Sequence, residues 1–223
     1  MMMRLATAVL VLMGFAAGQS QVIVPRSNAV VIDGRADVAE WSAARLESSS
    51  PSGLKVRLQH DGTALYVAVE SPVDGYTSLC LGTSDRVHIL HASAALGAVD
   101  YRRTGGPWAP DQALFAFAMR DPSMTETAIA QRQTYFTQNG WVASTARMGG
   151  NRVQEFKIDM TRIATRLAIA YYVTAGEGSV LTWPESMSAN DGCAAIALVR
   201  GTVTTGLTFD PARWAPISLG PAK

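Results

Sequence analysis

The sequence lacks the motifs by which many enzymes are recognised. It contains no His-Glu-x-x-His zinc pair, no Gly-x-Ser-x-Gly nucleophile elbow and no phosphate-binding glycine loop. Histidine is scarce, and two of the three, His88 and His91, stand three apart in a run of β-forming residues. Strand neighbours alternate between faces, so this spacing places the two imidazoles on opposite faces and prevents them from sharing a metal ion. We therefore expect a protein that is not an enzyme and holds no metal and no cofactor.

The acidic residues are not grouped in a way that predicts glycoside hydrolysis. That chemistry needs two carboxylates on either side of the scissile bond, and nothing in the sequence pairs two of the available carboxylates beyond chance. Glu155 opens the alternating run Glu155-Phe156-Lys157-Ile158, whose apolar residues, Phe156 and Ile158, face inward. The pattern predicts that Glu155 points outward and is solvated.

The chain also has no excess of charge and no second long apolar run. A single early charge, Arg4, precedes the apolar run Leu5 to Ala17, and small residues follow, as is typical of a secretory signal peptide. The run is shorter than the roughly 20 residues that span a bilayer. Cleavage after Gly18 leaves 205 residues with 18 basic and 18 acidic side chains. We expect a periplasmic or secreted protein without a membrane span in the mature chain and without a nucleic-acid partner, which would reward clustered positive charge.

Cysteine is limited to Cys80 and Cys193. Two cysteines are too few for a zinc site, which usually takes four Cys or His ligands. An exported compartment is oxidising, so the pair predicts one disulfide. Two buried free thiols are the alternative.

The pattern of apolar residues predicts a mostly β protein. Residues 54–60 alternate apolar and polar side chains, Asp61-Gly62 favours a turn, and Leu65 to Val69 supplies a second β-rich run, which together indicate a hairpin over residues 54–70. Further strand-like runs follow at Arg86–Leu90, Leu114–Met119, Trp141–Ser144, Glu155–Ile158, Leu167–Thr174, Ala194–Val199 and Val199–Val203. We expect an antiparallel, jelly-roll-like β-sandwich in which the almost wholly apolar run Leu167 to Val173 is a central strand covered on both sides.

Only short helices interrupt this pattern. Ser123 and Glu126 fit a capping box that begins a surface helix ending near Gln133, and a helical turn is expected at Met160 to Ala164. The prolines of Phe209 to Lys223 predict an extended tail. The predicted organisation is therefore a signal peptide (1–18), one β-sandwich domain (19–208) and a C-terminal tail (209–223).

The tryptophans offer the clearest hint of a binding surface. Trp108 and Trp183 each stand beside a proline. A tryptophan in a stiff loop is a flat platform with little entropy to lose, which suits the apolar faces of sugar rings. Nearby Tyr101, Arg102 and Arg103 offer hydrogen bonds to sugar hydroxyls. The alternative is that these tryptophans pack the ends of the sandwich.

Three segments resemble family 9 carbohydrate-binding modules and the related DOMON-like domains. Residues 31–41 read Val-Ile-Asp-Gly-Arg-Ala-Asp-Val-Ala-Glu-Trp, similar to the family's opening Ile-Asp-Gly and later Trp. Residues 59–69 look like its strand ending in Asp before Leu-Tyr-Val. Residues 155–160 resemble its Glu-x-x-Ile-Pro segment, with Asp159 in place of the proline. The resemblance implies a β-sandwich and a sugar ligand, and it transfers no binding residue.

The middle of the chain, Leu79 to Arg152, departs from that family. Its piece Leu90 to Gly97 resembles stretches of uncharacterised bacterial exported proteins. The expected function is non-catalytic carbohydrate or glycan binding. Two alternatives stay open. One is an envelope scaffold that binds no small ligand, and the other is a haem b electron-transfer domain, a use of the same broad fold, with axial ligands drawn from Met119, Met148, His88 and His91.

Overall fold

The structure is a computed structural model that describes residues 20–49, 53–93, 96–115, 126–174, 178–195 and 203–221. The predicted signal peptide and the capping box at Ser123 lie outside the described residues. The described residues form thirteen strands and two α-helices. In chain order these are β1 (Val22–Val24), β2 (Arg45–Ser49), β3 (Leu54–His60), β4 (Ala64–Ser71), β5 (Gly75–Gly82), β6 (Arg86–Ala92), β7 (Leu96–Arg102), β8 (Ala109–Phe115), α1 (Glu126–Gln138), β9 (Trp141–Met148), β10 (Asn151–Asp159), β11 (Arg166–Val173), β12 (Val180–Trp183), α2 (Gly192–Ala195) and β13 (Ala215–Leu219).

The strands form two sheets that pack face to face as a β-sandwich. The five-stranded sheet has the order β2-β3-β4-β10-β9, and its neighbouring strands are antiparallel. The eight-stranded sheet has the order β1-β13-β11-β5-β6-β7-β8, and β12 also pairs with β11. Strands β1 and β13 run parallel, whereas β11, β5, β6, β7 and β8 are antiparallel to their neighbours. The expected antiparallel β-sandwich is confirmed.

The hairpin predicted over residues 54–70 is formed by β3 and β4. Asp61 closes its loop, because its Oδ1 accepts the backbone N–H of Thr63 at 2.7 Å and its Oδ2 accepts the Tyr66 hydroxyl at 2.7 Å. Gly62 adopts a φ of +97°, which L side chains rarely adopt. The Asp-Gly pair therefore makes the turn that its residue types predict.

The sandwich core lies between the inner faces of the two sheets. Phe156 and Ile158 of β10 are fully buried there, as their alternation predicts. Strand β11 is central: its residues Leu167 to Tyr171 are buried, and they alternate between the inner core and a second apolar cluster on the outer face of the eight-stranded sheet. The expectation of a strand covered on both sides is confirmed.

Each sheet is covered on its outer face by irregular chain. The N-terminal cover (residues 28–44) packs Val30 and Trp41 on Ala64, Tyr66 and Ala68 of the five-stranded sheet. The C-terminal cover (residues 184–195 and 203–214) places five buried apolar side chains over the eight-stranded sheet, namely Met187, Cys193, Ala194, Phe209 and Trp214. The residues that the structure describes therefore form four layers, two sheets inside and two covers outside.

The predicted disulfide is confirmed. Cys80 of β5 is bonded to Cys193 of α2, with their Cα atoms 6.1 Å apart, and both residues are fully buried. The bond ties the C-terminal cover to the middle of the eight-stranded sheet. Among the described residues, no helix has both the length and the apolar character needed to cross a bilayer.

Several predicted elements differ from the structure. The strand expected from Ala194 is wrong, because Ala194 lies in α2, where its N–H donates to the Asp191 carbonyl at 2.8 Å; residues 196–202, which include the rest of this run and most of the last predicted strand, lie outside the described residues. Small apolar residues are compatible with a helix or a strand, so the sequence pattern alone did not distinguish the two. Strand β8 begins before the predicted Leu114, and residues 116–119 are not among those described.

The helix α1 extends past Gln133 to Gln138 and is not confined to the surface. Its Phe136 is fully buried and packs edge-on against Trp141, with ring centroids 4.9 Å apart. The turn expected at Met160 is present as a 3-10 helix, Met160–Arg162.

The predicted C-terminal tail also contains regular structure. Its Pro211–Arg213 forms a 3-10 turn, and β13 pairs with both β1 and β11. A proline removes only its own N–H donor, so Pro216 is accommodated in a strand whose pairing with β11 is short.

Candidate ligand-binding pocket

The solvated carboxylate expected at Glu155 is wrong. The side chain is fully buried on the outer face of the five-stranded sheet, beneath the N-terminal cover. One of its oxygens, Oε2, accepts the N–H groups of Asp33 at 3.1 Å and Gly34 at 2.7 Å. The other, Oε1, accepts the Ala36 N–H at 3.0 Å and the Trp41 indole N–H at 2.8 Å.

The turn around Asp33 is shaped to enclose this carboxylate. Gly34 has a φ of +86°, and a Cβ there would lie 2.8 Å from the Ala146 nitrogen, so the turn requires glycine. Ala36 also takes a positive φ, +49°, and the successive N–H groups form a concave anion site. Burial raises the pKa of Glu155, and the four N–H bonds partly offset that rise. The Ile-Asp-Gly and Trp residues of this segment therefore fasten the N-terminal cover to β10.

Asp191 fastens the C-terminal cover in a comparable way. Its Oδ1 accepts the Cys193 N–H at 2.9 Å, and its Oδ2 accepts the Asp210 N–H at 3.0 Å and the Trp214 indole N–H at 3.2 Å. Burial raises the pKa of Asp191, again partly offset by these bonds. Each cover thus has one buried carboxylate that holds backbone N–H groups and a tryptophan.

The two tryptophans expected to form a stacking surface lie apart, and both are buried. Trp183 ends β12, is 4% exposed and belongs to the inner core. Trp108 is 5% exposed and packs in the outer cluster on the opposite face of the same sheet. The predicted shared surface is not formed, because the sheet separates the two rings.

Tyr101 and Arg102 point to different surroundings. The Tyr101 ring is buried against Phe209, with ring centroids 5.0 Å apart, and its hydroxyl donates to the Thr204 carbonyl at 2.6 Å. Burial raises the pKa of Tyr101 to about 12. Arg102 is exposed and pairs with Asp111 at 2.9 Å. Tyr101 therefore supports the cover from beneath, and Arg102 lies on the other face of β7.

Arg103 leads to an open pocket that the sequence does not reveal. Its guanidinium carbon lies 4.9 Å from the centroid of Trp108, and its Nη2 donates to the Ser84 carbonyl at 2.9 Å. The same side chain lines a pocket of about 310 Å³, here called the rim pocket. The rim pocket lies where the β5–β6 turn, the residue before β11 and the 3-10 turn Pro211–Arg213 meet. Its volume is at the lower end of the roughly 300–1,000 Å³ usual for small-molecule sites.

The floor of the rim pocket is an aromatic cluster. Phe209 lines the pocket but is only 3% exposed, so little of its ring is accessible to a ligand. Its ring is held by Tyr101, by Trp108 at 5.3 Å and by Trp214 at 6.4 Å, centroid to centroid. This packing gives the pocket a stiff base, because close-packed rings leave little freedom to move.

The walls of the rim pocket are polar and charged. Hydroxyl groups come from Thr83, Ser84 and Thr165. Charges come from Arg103, Arg166 and Asp210, and within the described part of the chain none of these three forms an ion pair. The Arg166 Nη1 is fixed by donation to the Trp214 carbonyl at 3.2 Å. A ligand rich in hydroxyl or carboxyl groups finds both donors and acceptors here.

Two other cavities lack this combination. One, of about 150 Å³, lies beside α1 and β9 with Lys157 and Asp159 at its edge. The other, of about 550 Å³, is lined by residues of α1 alone. The rim pocket differs from both in placing two guanidinium groups and a carboxylate around one opening.

The histidines and methionines considered for haem are not brought together. His88 and His91 lie on opposite faces of β6, as predicted: His88 Nδ1 is 2.8 Å from Asp100 Oδ1, and His91 Nδ1 is 3.2 Å from Ser78 Oγ. Met148 is exposed at the end of β9, and Met119 is not among the described residues. Across the part of the chain that the structure describes, no group of three or more His, Cys, Asp or Glu is arranged to hold a metal ion.

Of the residues that line the rim pocket, only Arg103 was predicted from the sequence as a binding residue. Arg166 begins an apolar strand, and Phe209 and Asp210 stand in the segment expected to be a tail, so none carried a local signal. Their meeting depends on the C-terminal cover folding over the eight-stranded sheet.

Comparison of the chain with protein-family models, with curated proteins and with solved structures finds no match.

Proposed function

We propose that the protein is an exported, non-catalytic carbohydrate-binding domain whose ligand occupies the rim pocket. The observation that carries the proposal is the convergence of Arg103, Arg166 and Asp210 with three hydroxyl side chains around one open pocket of about 310 Å³. Sugars present many hydroxyl groups in a small volume, and such groups are bound by arginine donors and carboxylate acceptors.

The arrangement favours modest affinity. Little of the Phe209 ring is exposed, so the pocket gains little from stacking and depends on hydrogen bonds. Those bonds replace bonds to water, and their net contribution is only about 0.5–1.5 kcal/mol each for neutral pairs. We expect dissociation constants from about micromolar to millimolar.

Three further features support the proposal. The segments that resemble family 9 carbohydrate-binding modules meet in space, because Glu155 of the third segment holds the turn and the tryptophan of the first. The Cys80–Cys193 bond supports export, since disulfides persist in oxidising compartments. The stiff aromatic floor supports binding without large rearrangement, which limits the entropic cost.

A pocket-filling substitution tests the site independently of ligand charge. Thr165 is exposed at the wall of the rim pocket, so Thr165→Trp is expected to block entry while leaving the core intact. The disulfide-bonded chain, isolated from the periplasm, is screened on a glycan array, and hits are measured by calorimetry. Its intact mass also reports whether residues 1–18 have been removed.

The matched control is Thr127→Trp, an exposed threonine on α1, far along the chain from the pocket. We expect the control to bind glycan as the unsubstituted protein does and Thr165→Trp to lose binding by at least about tenfold, the loss of one or more anchoring bonds. Absence of binding to any glycan, or equal binding by both variants, would falsify the proposal.

A further inference from the structure

The charges of the rim pocket point to one class of sugar. We infer that the pocket takes a carboxylated glycan, one that contains uronic acid residues, and that Arg103 and Arg166 bind its carboxylate. This inference rests on the proposed function and adds the chemical class of the ligand.

The rim pocket carries an excess of positive charge. The residues lining the rim pocket include two guanidinium groups and one carboxylate, which leaves one positive charge in excess. Neither arginine is neutralised by an ion pair within the described residues, whereas Arg102, one position from Arg103, is paired with Asp111. A neutral sugar leaves that excess charge unbalanced, and a carboxylated sugar balances it.

Both arginines of the rim pocket are preorganised for a ligand. Each arginine is held by one bond to a backbone carbonyl, Arg103 to Ser84 at 2.9 Å and Arg166 to Trp214 at 3.2 Å. Arg103 is further fixed over the Trp108 ring. A guanidinium has five N–H donors, so one anchoring bond leaves most of the planar fork available for a carboxylate. Little side-chain entropy remains to be lost when the ligand binds.

Asp210 lies on the wall of the same pocket and suits a different part of the ligand. The Asp210 backbone N–H is held by Asp191, which fixes the position of the residue, and its own carboxylate is exposed at the pocket. A carboxylate accepts hydrogen bonds only, so Asp210 suits the hydroxyl groups of the ring and not the ligand's carboxylate. The pocket thus separates a carboxylate-binding side from a hydroxyl-binding side.

The experiment compares acidic sugars with their own methyl esters. The probes are trigalacturonate and a β-linked glucuronate oligosaccharide, each as the free acid and as the fully methyl-esterified form, measured by calorimetry with the unsubstituted protein. Esterification removes the charge and keeps the sugar. A charged hydrogen bond contributes more than a neutral one, so we expect at least one acid to bind about tenfold or more tightly than its ester, and its affinity to fall as salt is raised.

Two substitutions locate the effect. Arg166→Gln and Arg103→Gln are expected to remove the preference for the acid over the ester. The control is Arg45→Gln, an exposed arginine on the other sheet that pairs with Glu47, and it should retain the preference. Thermal unfolding of each variant establishes that the fold persists.

The outcomes separate the two proposals. Equal binding of acid and ester, or a preference that survives both pocket substitutions, overturns the uronic-acid assignment while the sugar-binding function stands. Binding of neutral glycans alone, lost in Thr165→Trp, does the same. If neither these probes nor any neutral glycan binds, the proposed function itself is overturned.

Discussion

Three buried ionisable side chains link the stability of this protein to pH. Glu155, Asp191 and His91 are each desolvated in the fold and become exposed on unfolding. Burial raises the pKa of the two carboxyl groups and lowers the pKa of His91 to about 4. The carboxylates are compensated by several N–H donors, whereas the His91 ring has Ser78 Oγ at 3.2 Å and the edge of Tyr76, with centroids 5.1 Å apart.

His91 is expected to make the fold acid-sensitive. The unfolded imidazole takes up a proton near pH 6.5 and the folded one near pH 4, so the unfolded state binds more protons between these values. Stability from this residue is therefore complete above pH 6.5 and is lost as pH falls towards 4, at up to about 1.4 kcal/mol per pH unit and about 3 kcal/mol in all. Urea unfolding of the unsubstituted protein and of His91→Phe at pH 7 and pH 4.5 measures the effect.

The comparison must be made between the two proteins at each pH. The two buried carboxyl groups have raised pKa values, so they act in the opposite sense: their contribution improves as pH falls from the raised value towards the ordinary one. This background is common to both proteins and cancels. His88→Gln, which alters the histidine paired with Asp100, serves as the control. If His91→Phe shows the same loss of stability from pH 7 to 4.5 as the unsubstituted protein, His91 is not the acid-sensitive group.

Among the secondary-structure elements, the sequence pattern predicted correctly the hairpin β3–β4 and the strand β11, whose structures depend on neighbouring residues in the chain. Hairpin β3–β4 follows from alternation and from Asp61-Gly62, whose side chain and positive φ make the turn without help from distant residues. Strand β11 follows from a run of apolar residues that only a doubly covered strand can bury. Both predictions concern the sheets themselves.

The covers and the rim pocket could not be predicted in the same way. Glu155 has the pattern of a solvated residue, and its burial depends on a turn more than a hundred positions away along the chain. Trp108 and Trp183 each stand beside a proline in the sequence, but they lie on opposite faces of one sheet. Periodicity specifies that a face is outward, and it does not specify whether irregular chain later covers that face.

The disulfide fixes the C-terminal cover in addition to the hydrogen bonds of Asp191. It joins β5 to α2 across 113 positions, so breaking it releases a long loop in the unfolded chain. We expect the double variant Cys80→Ala/Cys193→Ala to lose about 2–5 kcal/mol of unfolding free energy, on the scale usual for loops of this size. Urea unfolding monitored by tryptophan fluorescence measures the loss.

Reduction provides the control for that variant. A reductant present during unfolding should lower the stability of the unsubstituted protein to that of the double variant and leave the variant unchanged. Equal stability of the oxidised protein and the variant would show that the cover is held by packing and by Asp191 alone.

The two outer faces of the sandwich are covered in the same way. A two-sheet sandwich hides its inner faces, and each outer face here is covered by irregular chain fastened through a buried carboxylate, Glu155 or Asp191. The rim pocket lies where the C-terminal cover meets the β5–β6 turn, the residue after β7 and the start of β11. The ligand binding that we propose therefore depends on the cover and not on the sheets alone.

The two fastenings are expected to act independently. Each carboxylate oxygen of Glu155 accepts two N–H bonds. In Glu155→Gln an NH₂ group replaces one of these oxygens, so in either orientation of the amide it faces two N–H donors and accepts from neither. In Asp191→Asn the amide NH₂ faces at least one donor. Each unsatisfied buried donor costs about 1–3 kcal/mol. The sites lie on the outer faces of different sheets, which pack about 10 Å apart, so the costs of the two substitutions should add to within about 0.5 kcal/mol in the double variant.

A coupled pair provides the contrast. Trp41→Phe and Glu155→Gln disrupt the same 2.8 Å hydrogen bond, so together they should cost less than their sum. Denaturant unfolding of the unsubstituted protein, the three single variants and the two double variants, at constant pH, gives both coupling energies. A coupling above about 1 kcal/mol between Glu155 and Asp191 would mean that the covers communicate through the sandwich. In that case a ligand in the rim pocket would also protect the N-terminal cover against local opening, whereas additivity confines this local protection to the C-terminal cover.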